Sequence, residues 1–153
     1  MATDARYRMK AYLDANINNA NLTKDNGTTQ VTFAVIYANP PYPLLKEFMA
    51  ASSPVDLLFC IGEPNSTPIL DFDQTPSRYE EHVPIMTRCI DKLGITGTKL
   101  KSKAEIELRR VCEANPTGSQ IDIGPRQDDD EDTGSTVLYG TKFVPSYVRD
   151  TTT

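Results

Sequence analysis

Histidine is nearly missing from this chain of 153 residues, with His82 the single example. Cysteine is scarce as well: Cys60, Cys89 and Cys112 are far apart in the sequence and form no close-spaced pair. An odd number of dispersed cysteines reads as reduced, buried thiols rather than a disulfide framework or a metal-ligand set, because structural metal sites draw on close-spaced pairs. No metal or cofactor is therefore expected. A basic excess is also absent. Asp and Glu number 21 against 16 Lys and Arg, giving a net charge of −5 and a pI of about 4.9. That disfavours a general nucleic-acid binder, which needs a cationic face to displace counterions, although a local patch stays open. No run approaches the ~18 consecutive apolar residues of a membrane span. The polar opening MATDARYRMK carries no apolar export signal, so an intracellular chain with no membrane contact is expected.

Catalytic signatures are missing too, which is why the chain reads as no enzyme. Gly94-Ile-Thr-Gly97-Thr-Lys99 precedes a helix but fails the phosphate-loop pattern, which needs four residues between the glycines and a lysine directly after the second. The acidic run Asp128–Asp132 fails the calcium-loop pattern, since Thr133 and Tyr139 stand where glycine and glutamate are required. It reads as a solvated acidic loop, 124–134. Asp71 and Asp73 have no third ligand in sight. A Cys–His pair would have to bring His82 to Cys60 or Cys112, because Cys89 lies too far along the same extended segment.

What is present is a pattern of elements. Ala5, Met9, Leu13, Ile17 and Ala20 recur at helical spacing and predict a helix from Asp4 to about Ala20. Val31, Phe33, Val35 and Tyr37 alternate within a strand from Gln30 to Ala38, which ends at Asn39-Pro-Pro-Tyr-Pro43. Leu44 to Ala51 suggests a short helical turn. Val55 to Gly62 is apolar on nearly both faces, as an inner strand would be. Glu63 to Ser77 reads as a long proline-bearing loop, 63–77, that carries Ile69, Leu70 and Phe72. A strand from Val83 to Asp91 follows, with Pro84 at its start. Next comes a helix from Thr98 to Ala114 with a stripe of Leu100, Ala104, Leu108, Val111 and Cys112. Ser102 to Glu105 fits a capping box, and Glu105 and Arg109 form an i,i+4 pair. A short strand from Ser119 to Ile123 and a long one from Thr136 to Val148 close the chain. This order predicts one α+β domain over residues 1–153, with an antiparallel or mixed β-sheet and two helices on one face.

The organisation resembles the tail-completion or tail-terminator proteins of tailed viruses. The matching pieces are the first helix, the strands 30–38 and 55–62, the segment RYEEHVPIMTRCID with the helix KLKSKAEIELRRVCEANP after it, and the closing STVLYGTKFVPSYVRD. The resemblance implies a structural virion protein that forms a ring, commonly hexameric, at the neck or tail end. It implies the tail tube protein and head-completion or connector proteins as partners, and a lumen through which DNA passes. Ring closure uses a heterologous interface, in which one surface of a subunit meets a different surface of the next. Apolar residues in irregular segments suit such an interface: Tyr42, Leu44 and Phe48 in one, Ile69, Leu70 and Phe72 in another. The acidic run would then line water or the lumen, where it would repel phosphate. Three alternatives stand beside this reading. One is a head-completion (stopper) protein or other connector. Another is a small intracellular enzyme using Cys60 or Cys112 with His82. The third is a protein-binding adaptor.

Overall fold

The computed structural model describes residues 5–37, 54–70, 76–114, 121–132, 134 and 136–150. In chain order these form helix α1 (Ala5–Asn16), a 3-10 turn (Asn19–Asn21), and strands β1 (Phe33–Tyr37), β2 (Leu57–Ile61), β3 (Asn65–Leu70), β4 (Pro76–His82) and β5 (Ile85–Cys89). Helix α2 (Gly97–Glu113) follows, then strands β6 (Gln127–Asp128), β7 (Glu131–Asp132), β8 (Val137–Leu138), β9 (Thr141–Phe143) and β10 (Ser146–Asp150). The class is α+β, as the element order predicts.

The main sheet has five strands in the order β1-β2-β5-β9-β6. β1 and β2 run parallel and the remaining pairs antiparallel, so the sheet is mixed. β2 is buried at all five positions and is the inner strand its two-faced apolarity suggests. Register places Val35, Phe59, Thr87 and Thr141 on one side of the sheet, with Leu57, Ile61, Ile85, Cys89 and Phe143. Both helices pack there. α1 contributes Ala5, Met9 and Leu13, with Ile17 just past its end. α2 contributes Leu100, Ala104, Leu108, Val111 and Cys112. The two helices also touch directly, as the Tyr12 hydroxyl donates to the Val111 carbonyl at 2.6 Å. Leu58, Cys60, Met86, Ile90 and Leu138 form a smaller buried cluster on the other side.

A second sheet, β10-β4-β3, is fully antiparallel. It was not expected. Residues 63–77 read as a loop because Pro64, Pro68 and Pro76 break the strand pattern, yet 65–70 and 76–77 are strand. The Val83–Asp91 strand is likewise shorter than predicted. Pro84 has no N–H to give a ladder, and the chain changes sheets at Val83-Pro84.

Further differences come from tertiary contacts. The capping box at Ser102–Glu105 lies inside α2, which starts six residues before Lys103 at Gly97. Its first N–H groups are capped by other loops: Asp25 accepts from the Thr96 N–H at 3.0 Å and Asp91 from the Gly97 N–H at 2.6 Å. The Glu105–Arg109 pair does form, at 3.5 Å. α1 ends at Asn16, short of Ala20, which is exposed. The closing 136–148 segment is three strands instead of one, bent at Gly140 and Pro145. A Cβ on Gly140 would stand 2.1 Å from the Thr87 carbonyl oxygen, so only glycine allows the crossing. Within 121–123 a single bridge, Asp122 to Ser146, replaces the predicted short strand. The helical turn expected at 44–51 lies outside the described residues.

Candidate functional site

The three-stranded sheet is where the chain departs most from its predicted outline, and it carries the most unusual buried polar group. Pairing puts Ser66, Glu81 and Tyr147 side by side on one face, with Pro68, Tyr79 and Arg149 two residues along. Glu81 is 2% exposed. A carboxylate at that depth needs a partner, since burying an unpaired charge is very costly. Arg149 supplies it, with Nε 2.8 Å from Glu81 Oε1. Ser66 donates to the other oxygen. The Arg149 guanidinium also lies 5.4 Å from the centre of the Tyr79 ring. One carboxylate on the middle strand therefore ties both outer strands to it. Sequence reading missed this group. Glu80-Glu81-His82 reads as polar surface, and only an assigned strand would have separated Glu81 from its neighbours by face.

The opposite face holds Asn65, Thr67, Ile69, Arg78, Glu80, His82 and Val148, and is largely open to water. His82 and Glu80 meet there at 3.7 Å.

β3 forms the free side of this sheet: among the described residues it pairs with β4 alone. The Val83 N–H donates to the Pro145 carbonyl, so Glu81 and Tyr79, two and four residues along β4, also turn their backbone groups toward β10. The Pro68–Tyr79 pair is therefore non-hydrogen-bonded, and the Pro68 nitrogen points outward. The backbone groups of Ser66 point outward with it. Asn65 to Pro68 are exposed and Ile69 is half-buried. No residue of β3 is charged. Natural edge strands are blunted by charge, proline or a cover. Here Pro68 is the one such device on the strand itself.

The interface residues expected from sequence fall in three groups. Ile69 sits on β3 opposite Arg78, on a strand where a loop was predicted. Leu70 ends the same strand opposite Pro76. Tyr42, Leu44, Phe48 and Phe72 lie outside the described residues.

The acidic run is not a free loop. Residues 127–128 and 131–132 pair with β9 and β8, forming one arm of a hairpin. Three of its aspartates meet cations. Lys101 Nζ is 2.9 Å from both Asp128 and Asp130. Arg88 reaches Asp129 at 2.6 Å, and Arg126 also contacts Asp128. Lys101 is 8% exposed. Burial alone would lower its pKa, but the hydrogen bonds it donates to Asp128 and Asp130, with their negative charge, outweigh this and raise it. The Lys101 hydrogen bond in turn holds the Asp128 carboxyl below its ordinary value. Asp128, Asp130, Glu131 and Asp132 are all exposed, but Asp128, Asp129 and Asp130 sit against cations, so the run presents less net negative charge than its sequence suggests.

The three thiols are all buried. Desolvation pushes Cys60 up to about 11, and Cys89 and Cys112 up to about 12. A nucleophilic thiolate needs the opposite setting. Cys89 Sγ faces the Gly97 carbonyl at 3.4 Å, and His82 stands on the open face of the second sheet beside Glu80. Among the described residues no group of three or more His, Cys, Asp or Glu could hold a metal ion. Among them, too, no helix is long and apolar enough to cross a membrane.

No protein-family model matches the chain, and no curated protein matches it.

Proposed function

We propose that this chain is a structural subunit that assembles through the free edge of β3 into a ring at the neck or tail end of a virus particle. The tail tube and the head-completion or connector proteins are its neighbours, and DNA passes through the ring. The observation that carries this reading is the exposed, uncharged β3 edge, tied to β4 by strand pairing and by the Ser66–Glu81 hydrogen bond. An open edge adds strands from other chains through main-chain hydrogen bonds, with side chains setting specificity. Because β3 would meet a different surface of the next copy, the contact is heterologous and can close into a ring. The α+β order with both helices on one sheet face agrees with what the resemblance to tail terminators implies. The acidic run contributes less to a repelling lumen than its composition promised, since Lys101, Arg88 and Arg126 answer three of its charges.

The experiment is light scattering at several concentrations, then electron microscopy with and without tail tubes. Wild-type chain is expected to form rings, alone or on tubes. Thr67→Lys and Ile69→Asp, both checked for folding by circular dichroism, are expected to stay monomeric. Rings unaffected by either variant would remove β3 from the interface. A monomer at every concentration, with no affinity for tubes or capsids, would sink the assembly reading. Preference for capsids over tubes would make the chain a head-completion protein or connector, a role the same edge could serve.

A further inference from the structure

The second sheet has two outer strands, and β3 is only one of them. β10 lies on the other side of β4. Ser146, at its start, exchanges backbone hydrogen bonds with Asp122, 2.8 Å in each direction. Ser146 therefore turns its backbone groups away from β4, and by alternation so do Val148 and Asp150. Val148 is 42% exposed, and among the described residues nothing pairs with its outward N–H and C=O. β10 is closed at Ser146 and open from Val148 onward.

Strand direction decides how these edges can meet. β10 and β3 both run antiparallel to β4, so they run parallel to each other. A rotation about an axis along the strands keeps that direction and brings β3 of one copy beside β10 of the next. Repeating the rotation carries the sheet from copy to copy and can close it. Two β3 edges meeting each other would instead form a two-fold contact that ends in a dimer.

Pro68 sets the register. The outward residues of β3 are Ser66 and Pro68, and Pro68 has no N–H to give. Parallel ladders are slanted: an outward residue reaches two positions of its neighbour, one through its N–H and one through its C=O. Ser66 can do both. Set opposite Arg149, its N–H donates to the Val148 carbonyl and its carbonyl accepts from the Asp150 N–H. The faces agree as well, because Ser66 and Arg149 already share a face within one copy, and the rotation preserves it. Asn65 then stands beside Val148 on the open face.

We propose that β3 pairs in parallel with β10 of a neighbouring copy, Ser66 opposite Arg149, joining the three-stranded sheets into one continuous sheet. The inference rests on the assembly reading and supplies the surface that receives β3.

The test is cysteine crosslinking in the full chain, whose own thiols are buried and do not compete. Asn65→Cys and Val148→Cys are purified separately, mixed and oxidised. Neighbouring strands lie about 4.8 Å apart, within reach of a disulfide. The mixture should give a covalent dimer that neither variant gives alone. The double variant should give a ladder of covalent oligomers on a non-reducing gel. Val148→Pro removes only an outward N–H, so it should keep the wild-type circular dichroism spectrum yet stay monomeric where wild type forms rings. Covalent dimers of Asn65→Cys alone would overturn the proposal in favour of a β3–β3 contact. Rings seen by light scattering without crosslinking in the mixture would overturn it and leave assembly to other surfaces. Monomers at every concentration, with no crosslink, would overturn both readings. If Val148→Pro fails to fold, the crosslinking still decides.

Discussion

The Arg149 guanidinium reaches from β10 to the Glu81 carboxylate of β4 at 2.8 Å, beneath a sheet whose other outer strand is bound to that same carboxylate by Ser66. The Glu81 and Arg149 side chains are 3% and 14% exposed. Removing one member of a buried pair leaves the other charged and unanswered, which typically costs about 3–5 kcal/mol. Arg149→Ala should therefore lower stability by about 3 kcal/mol in urea unfolding. Replacing both groups, as Glu81→Leu with Arg149→Met, should cost far less, because no stranded charge remains. If Arg149→Ala and the double variant unfold at the same urea concentration, the pair is not what ties the second sheet together.

Glu107 gives the fold its clearest acid dependence. It lies on α2, 1% exposed, and accepts hydrogen bonds from the Asn18 N–H at 2.7 Å, the Asn21 side chain at 2.9 Å and Arg110 at 2.7 Å. Burial pushes its carboxyl up, but Arg110, Asn18 and Asn21 together outweigh burial and hold it below the ordinary value. A folded pKa below the unfolded one stabilises the fold above the unfolded value of about 4.3, and that stability is lost as pH falls through the folded pKa. Glu107→Gln should cost about 2 kcal/mol at neutral pH, as charge-assisted bonds are lost. It should also flatten the fall in melting temperature between neutral pH and about pH 3. A variant whose acid sensitivity matches wild type would assign that sensitivity to other carboxylates.

Two glycines are expected to refuse even a methyl group, for reasons of space. At Gly140 a Cβ would meet the Thr87 carbonyl at 2.1 Å, and at Gly97 the Tyr139 ring at 2.2 Å. Backbone cannot yield as a side-chain tip can. Gly140→Ala should cost up to about 3 kcal/mol, and Gly97→Ala less if Tyr139 swings aside. Gly27→Ala makes the contrast: its φ is +76° with nothing within 4 Å, so only backbone strain of about 1 kcal/mol applies. Thermal melting of the three variants should rank them in that order. An unaffected Gly140→Ala would mean that β9 can shift away from β5.

Much of the fold was legible because burial follows period. The α2 stripe from Leu100 to Cys112, the α1 stripe and the inner strand Leu57–Ile61 are patterns that a single face or a sheet interior imposes on the sequence. The second sheet was not legible. β3 is exposed over Asn65–Pro68 and carries no apolar alternation, so its strand state comes from pairing with β4 alone. The start of α2 was predicted at Thr98, one residue from Gly97, but its capping was misread for a related reason. Its caps, Asp25 and Asp91, come from distant loops, whereas Ser102 and Glu105 only imitate a local one. Of the expected interface residues, Ile69 and Leu70 lie on the candidate edge. The chemistry beneath that edge, Glu81 with Arg149, joins positions 68 residues apart that no local pattern connects.

Thiol chemistry offers the cleanest separation between an assembly subunit and a Cys–His enzyme. Cys60, Cys89 and Cys112 are buried, with pKa values raised to about 11, 12 and 12 by desolvation. At pH 7 the thiolate fraction is then about one in ten thousand or lower. Access is restricted as well, since a reagent must wait for local or global opening. The native chain should therefore resist a thiol-specific disulfide reagent at neutral pH on a timescale over which the denatured chain reacts completely at all three positions. His82→Ala should leave the native rate unchanged, because His82 stands beside Glu80 on the open face of the second sheet. Raising the pH should speed the native reaction steadily toward the thiol pKa values, with no plateau near neutrality. A fast reaction at pH 7 that disappears in His82→Ala would reverse this: it would place a thiolate next to the histidine and make the enzyme reading the one to pursue.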